Sequence, residues 1–175
     1  MTFLLLKASG ETFADLGLSR RGLGRSILVG LGFALVFFVV INVGINPLVG
    51  GLLGGSADAR VRELFRDYGD APWWVGTAIV GGGFAEELTR VFVLTRFERL
   101  LGRAGLVLAL VVDSAVFGLG HLYQGTSGAV SAALTGLLFA FVFLRRRRAT
   151  DAMAAHAWFD LLGIAAAYAL FGPKG

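Results

Sequence analysis

Residues 73–94 read WWVGTAIVGGGFAEELTRVFVL, and this stretch decides the fold. Apart from Glu86, Glu87, Arg90 and two threonines it is apolar or glycine, and it has about the 20 residues an α-helix needs to cross ~30 Å of hydrocarbon. Ionisable groups inside such a span cost a few kcal/mol each on insertion scales, so their presence marks a task. Adjacent residues on a helix point about 100° apart, so Glu86 and Glu87 meet different surroundings. Arg90 is i,i+4 from Glu86 and i,i+3 from Glu87, within reach of either carboxylate. The glutamate that pairs with it stays ionised; the other, less compensated and desolvated, is the candidate general base or acid.

Composition agrees with a membrane protein. Of 175 residues, 56% are hydrophobic and 16% charged, and mean hydropathy is +0.75, where a soluble domain has about a quarter of its residues charged. The chain has no cysteine, which excludes disulfides, thiolate metal sites and cysteine nucleophiles. The net charge is +4, but the basic residues cluster at the ends of apolar segments. That pattern fits topology signals and anionic headgroups, with the lipid bilayer as partner, and not nucleic acid.

Working outward from 73–94, the reading is an all-α polytopic bundle of about five spans: 26–49, 72–94, 104–122, 127–144 and 152–171. Residues 1–25 form an N-terminal cytoplasmic or interfacial segment, and 26–172 the transmembrane domain. The short apolar N-terminus lacks a basic region and a cleavage site, so it does not read as a signal peptide. Arg20, Arg21 and Arg25 precede span one, Arg96, Arg99 and Arg103 join spans two and three, and Arg145–Arg148 join spans four and five. A cytoplasmic N-terminus and an outer C-terminus put all of these inside. Arg60, Arg62 and Arg66 are the exception, in a stretch (56–68) whose Val61, Leu64 and Phe65 suit a short amphipathic surface helix. The glycines, 26 in all, sit mostly within spans, where small residues let helices approach closely. Gly81-Gly82-Gly83, just before the glutamates, either admits a neighbouring backbone or loosens the helix.

Two further spans carry ionisable groups. His121 closes Phe117-Gly-Leu-Gly-His121, and His156 opens His156-Ala-Trp-Phe-Asp160. Asp160 is i,i+4 from His156, placed to orient the imidazole or to join it as a ligand. Asp113 lies about 80° away from the His121 face and reads as structural. A base, a polarising imidazole and an electrostatic stabiliser are the minimum for amide hydrolysis.

Glu86-Glu87-Leu-Thr-Arg90, Phe117-x-x-x-His121 and His156-x-x-x-Asp160 resemble, in order and membrane setting, the three motifs of the CAAX prenyl endopeptidase and bacteriocin-processing (CPBP, or Abi) intramembrane proteases. Those motifs run EExxxR, FxxxH and HxxxN or HxxxD, and the match spans roughly residues 72 to 165. The family's arginine follows the second glutamate by four residues, where this chain has Val91. Aligned on the glutamates, the arginine arrives one position early, still i,i+3 from Glu87.

The resemblance implies an intramembrane endopeptidase, a multi-pass protein of the bacterial cell (inner) membrane, acting on a peptide or protein substrate. It implies that Glu86 activates water with help from His121. His156 and Asp160 would stabilise the oxyanion, and Glu87 and Arg90 hold the site. Two histidines and carboxylates (His121, His156 and Glu86) also suit Zn²⁺, although the spacing is not the His-Glu-x-x-His of helical zinc proteases and does not require a metal. The alternatives are an inactive membrane scaffold or immunity protein of the same fold, which the early arginine favours, and a proton-coupled transporter subunit, which lacks the expected repeat symmetry. Depth poses a conflict: at ~1.5 Å rise per residue, Glu86 and His156 lie about 9 Å from the cytoplasmic face and His121 nearer the outer one. Either span three is shifted or tilted, or the span boundaries lie elsewhere.

Overall fold

The computed structural model describes residues 6–7, 10–54 and 62–173, all helix, turn or connecting coil, with no strand among them. Four helical stretches are long and apolar enough to cross a membrane: Leu23–Leu53, Tyr68–Gly120, Leu122–Arg146 and Ala149–Phe171. The second has 53 residues and reverses at Gly102, whose φ of 62° and ψ of −145° are not helical. It therefore supplies two passes, and the described residues make five. We label them α1 (Leu23–Leu53), α2 (68–101), α3 (103–120), α4 (Gly125–Arg146) and α5 (Ala149–Phe171). The outer flanks of α1 and α3 expose Leu28, Val36, Val43, Val107, Val111 and Val116, a surface whose natural solvent is lipid. The protein is an integral membrane protein.

α5 packs between α1 and α2, and α4 packs along α3. Small residues make these contacts close. A methyl group at Gly30 of α1 would lie 2.5 Å from Ala154 Cβ, and one at Gly118 of α3 would lie 2.7 Å from the Ala129 carbonyl oxygen of α4. Ser26 and Thr150 hydrogen-bond across α1 and α5 at 3.2 Å. Van der Waals packing and interhelical hydrogen bonds hold such bundles, because lipid leaves no hydrophobic drive between helices.

Two passes widen into π-helix. In α1 the π stretch covers Val40–Ile45 and runs into Pro47, which has no N–H to give the preceding turn and clashes with the carbonyl four residues back. Widening the turn relieves that clash. In α2 it covers Thr77–Glu86, through the triple glycine. Gly82 and Gly83 are buried, and a methyl at Gly83 would lie 2.8 Å from Ala157 Cβ and 3.1 Å from the Met153 carbonyl oxygen of α5. Both readings of the triple glycine hold here: it admits α5, and the helix around it is loosened.

The N-terminal segment also makes contacts with the bundle. Leu6 and Leu16 are buried with the core, and Glu11 pairs with Arg96 at 2.5 Å and with Arg99. Gly17, at φ 74°, accepts a hydrogen bond from the Ala149 amide and lies so close to the α4–α5 turn that a side chain would meet the Arg147 carbonyl oxygen at 2.7 Å. At the opposite end the amphipathic stretch is described only from residue 62 onward, and Val61 lies outside the described residues. Phe65 there is buried against Trp74 and Tyr168.

Candidate active site

The site grows from the α2–α3 hairpin. Because the chain reverses at Gly102, Arg90 of α2 comes level with Asp113 of α3, and Arg90 Nε donates to Asp113 Oδ2 at 2.8 Å. Arg90 Nη1 donates to Glu87 Oε1 on its own helix. His156 of α5 reaches the same oxygen, with Nδ1 donating at 2.8 Å. Glu87 (0% exposed) and Arg90 (1%) are thus a buried ion pair tying three passes together. Desolvation makes an isolated charge there very costly, so each needs the other.

Aromatic rings complete the surround. The Arg90 guanidinium lies 4.7 Å from the Phe117 ring centre and 5.8 Å from that of Phe139, in cation–π range. Phe139 of α4 stacks on His156 with centroids 4.1 Å apart and an interplanar angle of 19°. Phe117 meets His156 edge-on at 5.8 Å and His121 at 4.5 Å. His156 is therefore fixed by a hydrogen bond at Nδ1 and rings on its faces, which leaves Nε2 to face the cavity. There it lies 3.7 Å from Glu86 Oε2 and 3.5 Å from Asp160 Oδ2. A methyl at Gly82 would collide with this group, 3.0 Å from His156 Nε2; glycine is what lets α2 approach.

Glu86 differs from its neighbour. Its side chain is 43% exposed and opens, with His121, His156 and Asp160, into one cavity of about 410 Å³. His121 Nδ1 donates to the Phe117 carbonyl oxygen at 2.8 Å, so in the neutral ring Nε2 carries the lone pair. All six residues expected at the site are accounted for: four line the cavity, and Glu87 and Arg90 lie behind them. Of the two glutamates the arginine-paired one is the more deeply buried, contrary to the expectation that the uncompensated one would be desolvated.

The depth conflict disappears with the hairpin register. Both His121 and Glu86 lie far from the turn, about 28 Å and about 24 Å along their helices at 1.5 Å per residue. Asp160 sits one turn beyond His156, toward the C-terminal end of α5. The misplacement came from ending span two at Leu94, whereas the helix continues past Arg99, its charges satisfied by Glu11 and, through Glu98, by Arg147. The early arginine is resolved too. Arg90 reaches Glu87 at i,i+3 and finds a second carboxylate in Asp113.

Asp113 and Phe139 are the residues that sequence reasoning did not place here. An acid in span three, unexplained within its own helix, signals the first. Nothing signals Phe139, in a span with no ionisable group. For a metal, His121 and His156 each have Nδ1 engaged by a protein acceptor, and among the described residues no three His, Asp or Glu side chains are gathered as a ligand group. The Nε2 lone pairs of both histidines stay available to a metal, but the donors His121, His156 and Glu86 are not gathered around one point.

No curated protein and no solved structure matches the chain. Residues 68–162 match the model of the Rce1-like family, type II CAAX prenyl endopeptidase. That match takes in the hairpin, α4 and the first half of α5, and with them all six site residues and Asp113. A membrane bundle that gathers the glutamate pair, both histidines and their partner aspartates within one matched region leaves a single assignment: the chain belongs to the Rce1-like family of type II CAAX prenyl endopeptidases.

Proposed function

We propose that the protein is an intramembrane endopeptidase that hydrolyses a peptide bond with a water activated by Glu86. The observation that carries this reading is the division between the two glutamates. Glu87 is sealed behind the site by Arg90 and His156, whereas Glu86 opens into a cavity it shares with two histidines and an aspartate. Only a carboxylate with room beside it can hold and deprotonate a water.

In this scheme the water bridges Glu86 and His121 Nε2, whose lone pair is fixed by the Nδ1 bond to Phe117. Glu86 takes the proton as the water oxygen attacks the substrate carbonyl. The developing oxyanion faces His156 Nε2 and Asp160, 3.5 Å apart, which share one proton between them and present it to the negative oxygen. Glu86 then returns its proton to the departing nitrogen. General-base work of this kind is worth about 10²–10⁴ in rate, and an oxyanion donor about 10²–10³. Glu87, Arg90 and Asp113 set the position of His156 and take no proton.

The test is cleavage of peptide substrates by purified protein. Glu86→Ala should lose at least about 10²-fold in turnover, and His121→Ala should fall in the same direction. Unchanged turnover in both variants would overturn the mechanism and favour a scaffold of the same fold.

A further inference from the structure

The cavity has a second polar patch that the hydrolytic scheme does not use. Beyond Ser26, only Asn42 and Asn46 interrupt the apolar side chains of α1, and both line the cavity that holds Glu86. They form a directed chain of hydrogen bonds. Asn42 Nδ2 donates to the Phe38 carbonyl oxygen at 2.8 Å; a carbonyl can only accept, so the amide's orientation is fixed. Its Oδ1 then accepts from Asn46 Nδ2 at 3.3 Å, which fixes the second amide as well and leaves Asn46 Oδ1 as the terminal acceptor. Trp74 of α2 lines the same cavity. Its Nε1 is buried and has no hydrogen-bond partner among the described residues, which is uncommon for an indole N–H away from solvent. Among the described residues the patch therefore keeps an unmatched acceptor at Asn46 Oδ1 and an unmatched donor at Trp74 Nε1, beside the second N–H of each amide.

A peptide segment held for cleavage has the complementary need. To present a carbonyl to an activated water it must be extended, and an extended strand cannot pair its own N–H and C=O groups. Within a bilayer there is no water to do so. An acceptor on α1 and a donor on α2 suit a substrate N–H and a substrate carbonyl. We propose that Asn46 and Trp74 form a main-chain docking subsite, with Asn46 Oδ1 accepting a substrate N–H and Trp74 Nε1 donating to a substrate carbonyl. The proposal rests on the endopeptidase reading for its ligand class. It adds that the enzyme grips backbone independently of side-chain sequence.

The experiment uses the full chain in detergent with a fluorescent apolar peptide of about ten residues, long enough at ~3.3 Å per residue to span the cavity. Cleavage kinetics and peptide affinity by anisotropy are measured for wild type, Asn46→Leu and Trp74→Phe. Each variant should raise KM and weaken affinity by about 2- to 10-fold, as expected for one neutral hydrogen bond, with kcat within about twofold. Ester-for-amide substrates, scanned one position at a time, keep the test on the unaltered protein. One ester should weaken wild type by a similar factor and have no further effect in Asn46→Leu. Unchanged KM and affinity in both variants, or an ester scan without a sensitive position, would overturn the subsite while leaving Glu86-dependent cleavage intact. Peptide binding that depends on Asn46 without any cleavage would overturn the hydrolytic reading and support the subsite. Absence of both binding and cleavage would overturn the two together.

Discussion

Arg90 carries its charge at a position 1% exposed, and its neighbours answer it from three passes: Glu87 on its own helix, Asp113 on α3 and the Phe139 ring on α4. Glu87 in turn fixes His156, so the arginine acts on the imidazole through a carboxylate. Removing one member leaves a buried charge without its counterpart, which costs about 3–5 kcal/mol. Arg90→Met should accordingly lower thermal stability in detergent by that order, with Glu87→Ala close behind. A melting temperature unmoved in both variants would show that the pair contributes no stability. Gly82 tests positioning instead. A methyl there would displace His156 Nε2 or Asp160, and a shift near 1 Å at a reacting group costs about 10²-fold in rate. Gly82→Ala should therefore insert and fold but cleave about 10²-fold more slowly, read as kcat against an unchanged far-ultraviolet spectrum. The six site residues were legible because each is ionisable in an apolar run, and the Glu87–Arg90 pair because i,i+3 neighbours meet on any helix. Asp113 and Phe139 were not, since their roles exist only once α3 and α4 are folded against α2.

The hairpin between α2 and α3 sets which residues share a level, and Gly102 makes the hairpin. With φ at 62° and ψ at −145° it occupies a region closed to residues with a Cβ, at a cost of about 1–3 kcal/mol for a non-glycine. No atom lies within 4 Å of a side chain built there, so the penalty is one of backbone alone. Gly102→Ala should destabilise the protein by about 1–3 kcal/mol, whereas Gly120→Ala, also with open space but without positive φ, should be close to neutral. Equal melting temperatures for the two would refute the assignment of the turn to this backbone conformation. Charge misled the sequence reading at this element. Arg96, Glu98 and Arg99 look like a loop when met after an apolar run, yet they continue the helix because Glu11 and Arg147 lie beside them in the fold. The π stretches were only half legible. Pro47 and the triple glycine announce an irregular helix, but which way it relaxes depends on what packs against it.

At the scale of the whole molecule, the ends of the bundle are sorted. The N-terminal segment, the α2–α3 turn and the α4–α5 turn are joined at one end through Glu11 to Arg96 and Arg99, Glu98 to Arg147, and the Ala149 amide to Gly17. The other end holds Gly54, whose carbonyl oxygen accepts from Ser127 Oγ at 3.3 Å, and the Tyr68–Tyr168 stack. Arginine is concentrated at the first end, and the positive-inside rule assigns that end to the cytoplasm. Arg62 and Arg66 sit at the other, with the Glu63–Arg66 pair at 3.7 Å exposed to solvent and contributing little to stability. The absence of cysteine makes the orientation directly measurable, because any introduced thiol is the only one. Arg20→Cys and Arg103→Cys should react with a membrane-impermeant maleimide only after cells are opened, and Arg66→Cys should react in intact cells. The reverse pattern would turn the bundle over. It would also move the part of the cavity lined by Phe65, Trp74, Leu170 and Phe171 from the outer half of the bilayer to the inner. Orientation thus decides which leaflet faces the open Glu86 side of the site and which lies behind the buried Arg90.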